Sequence, residues 1–566
     1  VFSQLSQLSA DTQLNHLAPL MGEMLVAVVL GLILSFCLEQ FHSPRPQPVW
    51  RREPAELLLH AGIWLIIFLV EFLQFRRPWL ALCLTSTIFY VLVLINHSKF
   101  RSLREPFLYQ DFEYFLDAIK HPRLYLPFFG FWKIAICLLA VALALWIGVS
   151  LESPLSQIYP QAQLWIACVI LGLLALALIL AGTLRKTTLI FNPAQDFRKY
   201  GLIAMLWHYA RAEYNTAPPV SLASYSTLAE PELNLVSNRA AATQNQSLFQ
   251  SLKDSELPDT VVVQSESFFD PRRVFNCIAQ TVLQHFDQAC QSSLQYGTLC
   301  VPAWGANTVR TEFEFLTGIA TTALGIDQFN PYRRCVRQGL PSIASEFKKR
   351  GYRTVCVHPY PASFYQRDKI FPLLGFDEFI DIKSFDSVTQ NTEPGPYVSD
   401  QWLTTKVLDL LSQEHSQPLF VFVITMENHG PLHLEPLSAS DTANWVNQPL
   451  SPACRDLAIY LRHLANADQM IHRLIKRLSL SSQTNLAQGS SSQRPGQLLW
   501  YGDHVPVLPA AYDLLGLPDG RTDYFLWRSQ DAAKNTLPAM QQNNALQPGQ
   551  SQATLAVHQL AAELLK

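Results

Sequence analysis

The 566-residue chain is 49% hydrophobic and only 15% charged, with a formal net charge of −3. Soluble domains carry about 25% charged residues, so the balance leans toward a membrane protein, and the length accommodates a membrane region plus one large soluble domain. With no basic excess, nucleic acid is excluded as an expected partner.

About 20 apolar residues cross a bilayer core as a helix. Five segments reach or approach that: Leu17–Cys37, Leu57–Phe75, Trp79–Ile95, Phe128–Val149 and Leu164–Leu184. Glu23, His60 and Glu71 fall inside the first two, where charged side chains face other helices or water, or reach back to the interface. No cleavable signal peptide is expected. Between the third and fourth spans, His97–Pro127 mixes charges with aromatics and is expected to lie along the membrane surface. Asp196–Tyr214 reads as an amphipathic juxtamembrane helix, and Ala217–Leu257 as a polar linker. The expected division is a transmembrane region of about five helices over residues 1–190, a juxtamembrane helix and linker over 191–256, and a soluble domain over 257–566.

The basic connections Arg45–Arg52, Lys99–Arg123 and Arg185–Lys186 fall on the side of the C-terminal domain, which the positive-inside rule assigns to the cytoplasm. The short Arg76–Arg77 turn opposes that assignment. Ten cysteines show no zinc-knuckle spacing. Six of them, Cys277, Cys290, Cys300, Cys335, Cys356 and Cys454, lie in the soluble half; an oxidising compartment would permit disulfides, which the sequence does not pair.

From Leu257 the pattern changes to α/β. Val261–Val263, Tyr352–Val357, Pro418–Thr425 and Gln497–Trp500 read as buried strands, and Pro341–Arg350 as a helix stopped by Gly351. Strands alternating with helices imply a mostly parallel sheet, whose ligands bind at the carboxyl ends of the strands. Three predicted strands run into ligand-type residues there: Glu266, His429, and the pair Asp503 and His504. The Ser/Gln-rich stretch Gly489–Gly496 reads as a flexible excursion.

In Gly305–Gly318 a small-residue loop runs into an amphipathic helix with Thr308 at or near its start. A helix N-terminus suits a phosphate, although a hydroxyl there can also be an N-cap and nothing more. Glu266, Asp503 and His504 suit Zn²⁺ or Mn²⁺. A divalent cation would lower the pKa of a threonine hydroxyl and let it attack phosphorus. His358 and His429 could bind phosphate oxygens or protonate a leaving group, and Arg367 could hold a phosphate or a head-group hydroxyl.

Thr308 followed by Thr311-Glu312-Phe313-Glu314-Phe315-Leu316-Thr317-Gly318 resembles the lipoteichoic acid synthases and related phosphoglycerol transferases, in the sulfatase-like branch of the alkaline phosphatase superfamily. The resemblance extends to Ser265-Glu266-Ser267-Phe268, to His358 with Tyr365-Gln366-Arg367-Asp368, to Met426-Glu427-Asn428-His429 and to Tyr501-Gly502-Asp503-His504. It implies an N-terminal five-helix transmembrane region plus a C-terminal α/β alkaline-phosphatase/sulfatase-like domain with a mostly parallel central sheet. Thr308 would be nucleophile and metal ligand. Glu266, Asp503 and His504 would complete a site for one divalent ion, Mn²⁺ first, with Zn²⁺ or Mg²⁺ as alternatives. His358, Arg367 and His429 would bind substrate, and Tyr365 stands where the synthases carry a tryptophan. The implied reaction moves glycerophosphate from phosphatidylglycerol, through a phosphothreonine-type intermediate, to a glycan or polyglycerolphosphate acceptor. The implied location is the outer, periplasmic face of a bacterial cytoplasmic membrane, against the charge count. Thr308 argues against sulfate-ester hydrolysis, which needs a cysteine or serine there. A phosphoethanolamine transferase using phosphatidylethanolamine and a non-catalytic lipid- or polymer-binding relative are the alternatives.

Overall fold

The structure, a computed structural model, describes residues 10–112, 131–216, 257–336, 339–385, 395–438, 444–483, 494–529 and 553–566. The chain divides into two compact units, Val1–Thr216 and Ala217–Lys566.

The first unit is helical. Among the described residues, five helices are long and apolar enough to cross a membrane: Leu17–Glu39, Pro54–Phe75, Pro78–Leu103, Ala135–Gln157 and Gln161–Thr183. The third runs past its predicted end, so His97–Leu103, expected along the membrane surface, continues the helix. The rest of that stretch beyond residue 112, and linker residues 217–256, lie outside the described residues. Two of the polar groups inside the first two spans have partners elsewhere in the unit: His60 Nε2 lies 2.9 Å from Ser35 Oγ of the first span, and Tyr159 Oη, in the loop before the fifth, donates to Glu23 Oε1 at 3.2 Å. That is how a bilayer-embedded polar group is satisfied. The predicted juxtamembrane helix is two helices, Pro193–Tyr200 and Leu202–Asn215, broken at Gly201 with φ 76°. A Cβ at Gly201 would collide with Glu39 Oε1 and Arg52 Nη1, a buried ion pair 2.7 Å long through Glu39 Oε2.

Among its described residues, the second unit is built on one eight-stranded sheet. Its strands are β1 (Asp259–Ser265), β2 (Gln295–Cys300), β3 (Arg353–Val357), β4 (Glu378–Ile380), β5 (Leu419–Ile424), β6 (Gly496–Gly502), β7 (Thr522–Arg528) and β8 (Ala553–Ala556). The spatial order is β4-β3-β5-β1-β6-β7-β2-β8, and only β7 pairs antiparallel to its neighbours. The mostly parallel sheet is as expected. Period-two alternation sorts its apolar side chains into two cores. Val261, Val263, Val421, Val423, Leu498 and Trp500 pack on one face with Leu457, Tyr460, Leu464 and Ile471 of the long Arg455–Gln483 helix. Val262, Phe420, Phe422, Leu499 and Tyr501 pack on the other with Val309, Phe313 and Leu316 of the Thr308–Thr317 helix and Leu560 of the Val557–Leu565 helix. The predicted helix before β3 is Ile343–Lys349, and Gly351 follows it at φ 89°.

Candidate active site

Four adjacent strands, β3-β5-β1-β6, run parallel, so their carboxyl ends share one edge of the sheet. Each delivers a predicted site residue there. β1 ends at Ser265 and presents Glu266, while β6 ends at Gly502 and presents Asp503 and His504. β3 ends at Val357 and presents His358; β5 ends at Ile424 and leads through Thr425–Asn428 to His429. Gly502 is required: a Cβ there would collide with the Phe268 carbonyl oxygen.

Glu266, Asp503 and His504 are buried and each brings one ligand atom within 4.8 Å of the others. His504 Nε2 lies 3.5 Å from Glu266 Oε1 and 3.3 Å from Asp503 Oδ2. His504 Nδ1 lies 3.1 Å from the Val505 carbonyl oxygen, which makes Nδ1 the protonated nitrogen and leaves Nε2 a bare lone pair. Ser267 holds both carboxylates, its N–H donating to Asp503 Oδ1 at 2.8 Å and its hydroxyl to Glu266 Oε1 at 3.0 Å. Yet Asp503 Oδ2 and His504 Nε2, both buried, have no hydrogen-bond partner. Burial, and then the Asp503 carboxylate, push the Glu266 carboxyl up to about 8. Three lone-pair donors facing one another repel in isolation and attract around a divalent cation. Two carboxylate oxygens and an imidazole nitrogen backed by a carbonyl fit Mn²⁺ or Zn²⁺.

Thr308 is the first residue of its helix rather than its cap: Asn307 holds the cap position, at φ 66°, and makes no side-chain cap bond. The loop before the helix is pinned by Gly305 N–H donating to the Val505 carbonyl at 3.1 Å. The first turn is pinned by Thr311 Oγ1 donating to the Asp503 carbonyl at 2.7 Å. The chain therefore ties the Thr308 turn to the Asp503-His504 loop on both sides of the hydroxyl.

Arg367 is buried. Its Nε and Nη2 donate to Glu312 Oε1 and Oε2 at 3.1 and 2.8 Å, and its Nη1 lies 3.2 Å from His358 Nε2. His358 Nδ1 lies 3.1 Å from the Ile424 carbonyl oxygen, so Nδ1 carries the proton and Nε2 accepts from Arg367. Burial, then the Arg367 charge, hold the His358 pKa well below the usual range. His429 follows the same pattern: Nδ1 lies 2.7 Å from the Gly430 carbonyl, leaving Nε2 bare, and burial lowers its pKa. Tyr365 lies under the guanidinium, its ring centroid 5.2 Å from Arg367 Cζ.

Two groups here escaped the sequence reading. Glu312 was visible only as part of a motif, and Tyr397, whose hydroxyl lies 3.3 Å from His429 Nδ1, gave no signal. The backbone adds an independent marker. Among the described residues of the second unit, the non-glycine positions with positive φ are Ser267, Asn307, Tyr365 and Gln366. Each adjoins a predicted site residue or is one. Left-handed backbone at non-glycine positions persists only where the surroundings enforce it, and it clusters at active sites.

The sequence profile of the family described as Sulfatase matches residues 258–566. Over 526 residues the chain is 27% identical to the capsular polysaccharide biosynthesis protein RkpI of Rhizobium meliloti (strain 1021), covering 88% of this chain and 89% of that one. Among solved structures, the phosphoglycerol transferase GacH of Streptococcus pyogenes, in complex with sn-glycerol-1-phosphate, is 20% identical with a TM-score of 0.42, covering 62% of this chain and 84% of that one. The lipooligosaccharide phosphoethanolamine transferase A of Neisseria meningitidis, an integral membrane protein, is 13% identical with a TM-score of 0.48, covering 90% and 94%.

Proposed function

This chain belongs to the sulfatase family, and from that premise we propose that it is a membrane-bound phosphoglycerol transferase of the lipoteichoic acid synthase-like branch, which moves glycerophosphate from phosphatidylglycerol to an envelope glycan or polymer. Its catalytic domain is residues 257–566, carried by a transmembrane region over 1–190 and a juxtamembrane segment between them. The observation that carries the reading is the convergence, at one sheet edge, of a metal-type donor cluster, a tethered threonine at a helix start, and enforced left-handed backbone beside each.

Glu266, Asp503, His504 and the Thr308 hydroxyl would hold one divalent cation, Mn²⁺ by resemblance, whose charge lowers a hydroxyl pKa and polarises a phosphoryl oxygen. Thr308 Oγ forms a bond to the donor phosphorus, and the phosphorus–oxygen bond to diacylglycerol breaks. Thr308 then carries the glycerophosphoryl group. An acceptor hydroxyl attacks the same phosphorus and releases Thr308. His429, neutral and bare at Nε2, takes the proton of the attacking hydroxyl in each step and returns it to the departing oxygen. Arg367 binds non-bridging phosphoryl oxygens with the N–H groups that Glu312 and His358 leave over.

The test is diacylglycerol release by the full chain in detergent with Mn²⁺, using labelled phosphatidylglycerol or phosphatidylethanolamine. Release from phosphatidylglycerol alone is expected. Release from phosphatidylethanolamine alone would transfer the protein to the phosphoethanolamine transferases, and release from neither would leave a non-catalytic relative.

The reading places the catalytic domain outside the cytoplasmic membrane, against the positive-inside count. Cys300 is exposed and reports the side. In a variant whose other cysteines are serine, a membrane-impermeant maleimide is expected to label Cys300 in intact spheroplasts. Labelling only after permeabilisation would put the domain in the cytoplasm.

A further inference from the structure

Glu312 lies four residues, about one helical turn, beyond Thr308. Its side chain is fully buried and that of Arg367 nearly so. The carboxylate is saturated: besides the two bonds from Arg367, it accepts from Tyr332 Oη at 2.7 Å and from Gln264 Nε2 at 3.4 Å. Gln264 is in turn fixed by Tyr501 Oη at 2.7 Å. Gln264 and Tyr501 each stand two residues before a predicted metal ligand, Glu266 and Asp503. One carboxylate thus connects the nucleophile's helix, both metal-bearing strands and the guanidinium.

From this geometry we propose that Glu312 is a positioning and specificity-determining residue: it aims Arg367 and cancels its charge, so that the site accepts a phosphodiester monoanion and disfavours a phosphomonoester dianion. The proposal rests on the phosphoryl-transfer reading above. A buried Arg–carboxylate fork presents hydrogen-bond donors without net charge. Arg367 keeps two of its five N–H groups after Glu312 and His358 are served, enough to bind one face of a phosphoryl group. His358 acts through Arg367 on the same account, because both of its ring nitrogens are engaged.

The experiment compares binding of dimethyl phosphate, a monoanion, with inorganic phosphate at mildly alkaline pH, where it is chiefly a dianion. The Mn²⁺-loaded full chain is titrated and read by calorimetry and thermal shift. No lipid is needed, so the outcome is separate from whether phosphatidylglycerol is the donor. Glu312→Gln is expected to shift the preference toward inorganic phosphate by roughly tenfold or more, the effect of one uncompensated positive charge a few ångströms away in a partly desolvated site. Glu312→Asp keeps the charge and is expected to keep the wild-type preference while weakening both probes. Should Glu312→Gln fail to fold, the double variant Glu312→Gln with Arg367→Met removes the ion pair together, a change that buried pairs often tolerate. It is expected to weaken both probes equally. An unchanged preference in folded Glu312→Gln, or selective loss of inorganic phosphate in the double variant, would overturn the proposal and leave Glu312 a scaffold residue.

Discussion

Thr308→Ala is expected to lower diacylglycerol release from phosphatidylglycerol by about a thousandfold or more, roughly 4 kcal/mol in the barrier, with the fold intact. The reasoning is local. Thr308 opens a helix whose cap position belongs to Asn307 and whose first turn is bound to the Asp503 carbonyl through Thr311. Removing the hydroxyl therefore deletes no cap and no tether, and the metal-free melting temperature should stay close to that of metal-free wild type. What is lost is the group that forms the bond to phosphorus. Thr308→Ser, which keeps an oxygen at the same place, is expected to retain measurable release. Release from Thr308→Ala at more than a tenth of the wild-type rate, in a folded protein, would remove Thr308 from the chemistry.

Metal removal should be nearly as severe. Dialysis of the purified protein against a chelator is expected to abolish release and lower the melting temperature by several degrees, with both restored by Mn²⁺. A ligand held at a hundred times its dissociation constant contributes about 2.7 kcal/mol to the folded state. Asp503→Asn supplies a check that does not depend on activity. Its amide can still accept from the Ser267 N–H, and its NH₂ replaces the unpartnered Oδ2 that faces the His504 Nε2 lone pair. Metal-free Asp503→Asn should thus melt above metal-free wild type, yet gain little on Mn²⁺ addition. A wild-type protein whose melting temperature and metal content are indifferent to the chelator would argue against the cluster as a cation site.

The parts of this site that were legible in the sequence share one property. β1, β3, β5 and β6 are apolar runs that stop at polar, ligand-type residues, a signal that survives without tertiary information. β2 and β8 were not legible: Gln295–Cys300 carries a glycine, and Ala553–Ala556 is four residues long. β7, Thr522–Arg528, is missing from the sequence reading too, and nothing local shows that it runs against the others. Glu312 escaped because its role depends on Arg367, 55 residues away in the chain. The left-handed backbone at Ser267, Asn307, Tyr365 and Gln366 escaped for a different reason. Glycine is the sequence signal for that conformation, and none of these residues is glycine. Long-range contacts impose it, and the sequence records only their endpoints. In the membrane region Gly201 carries that signal, yet the sequence reading runs one helix through it; the break is visible only in the structure, where Glu39 and Arg52 occupy the space a side chain would need.

The most direct test of the central claim is to trap the covalent state. The full chain, loaded with Mn²⁺ and incubated with phosphatidylglycerol in the absence of acceptor, would be quenched, digested and read by mass spectrometry. A glycerophosphoryl group on the peptide carrying Thr308, absent from Thr308→Ala and cleared by adding acceptor, is the predicted result. Diacylglycerol release with Thr308 unmodified, or an adduct on another residue, would contradict it.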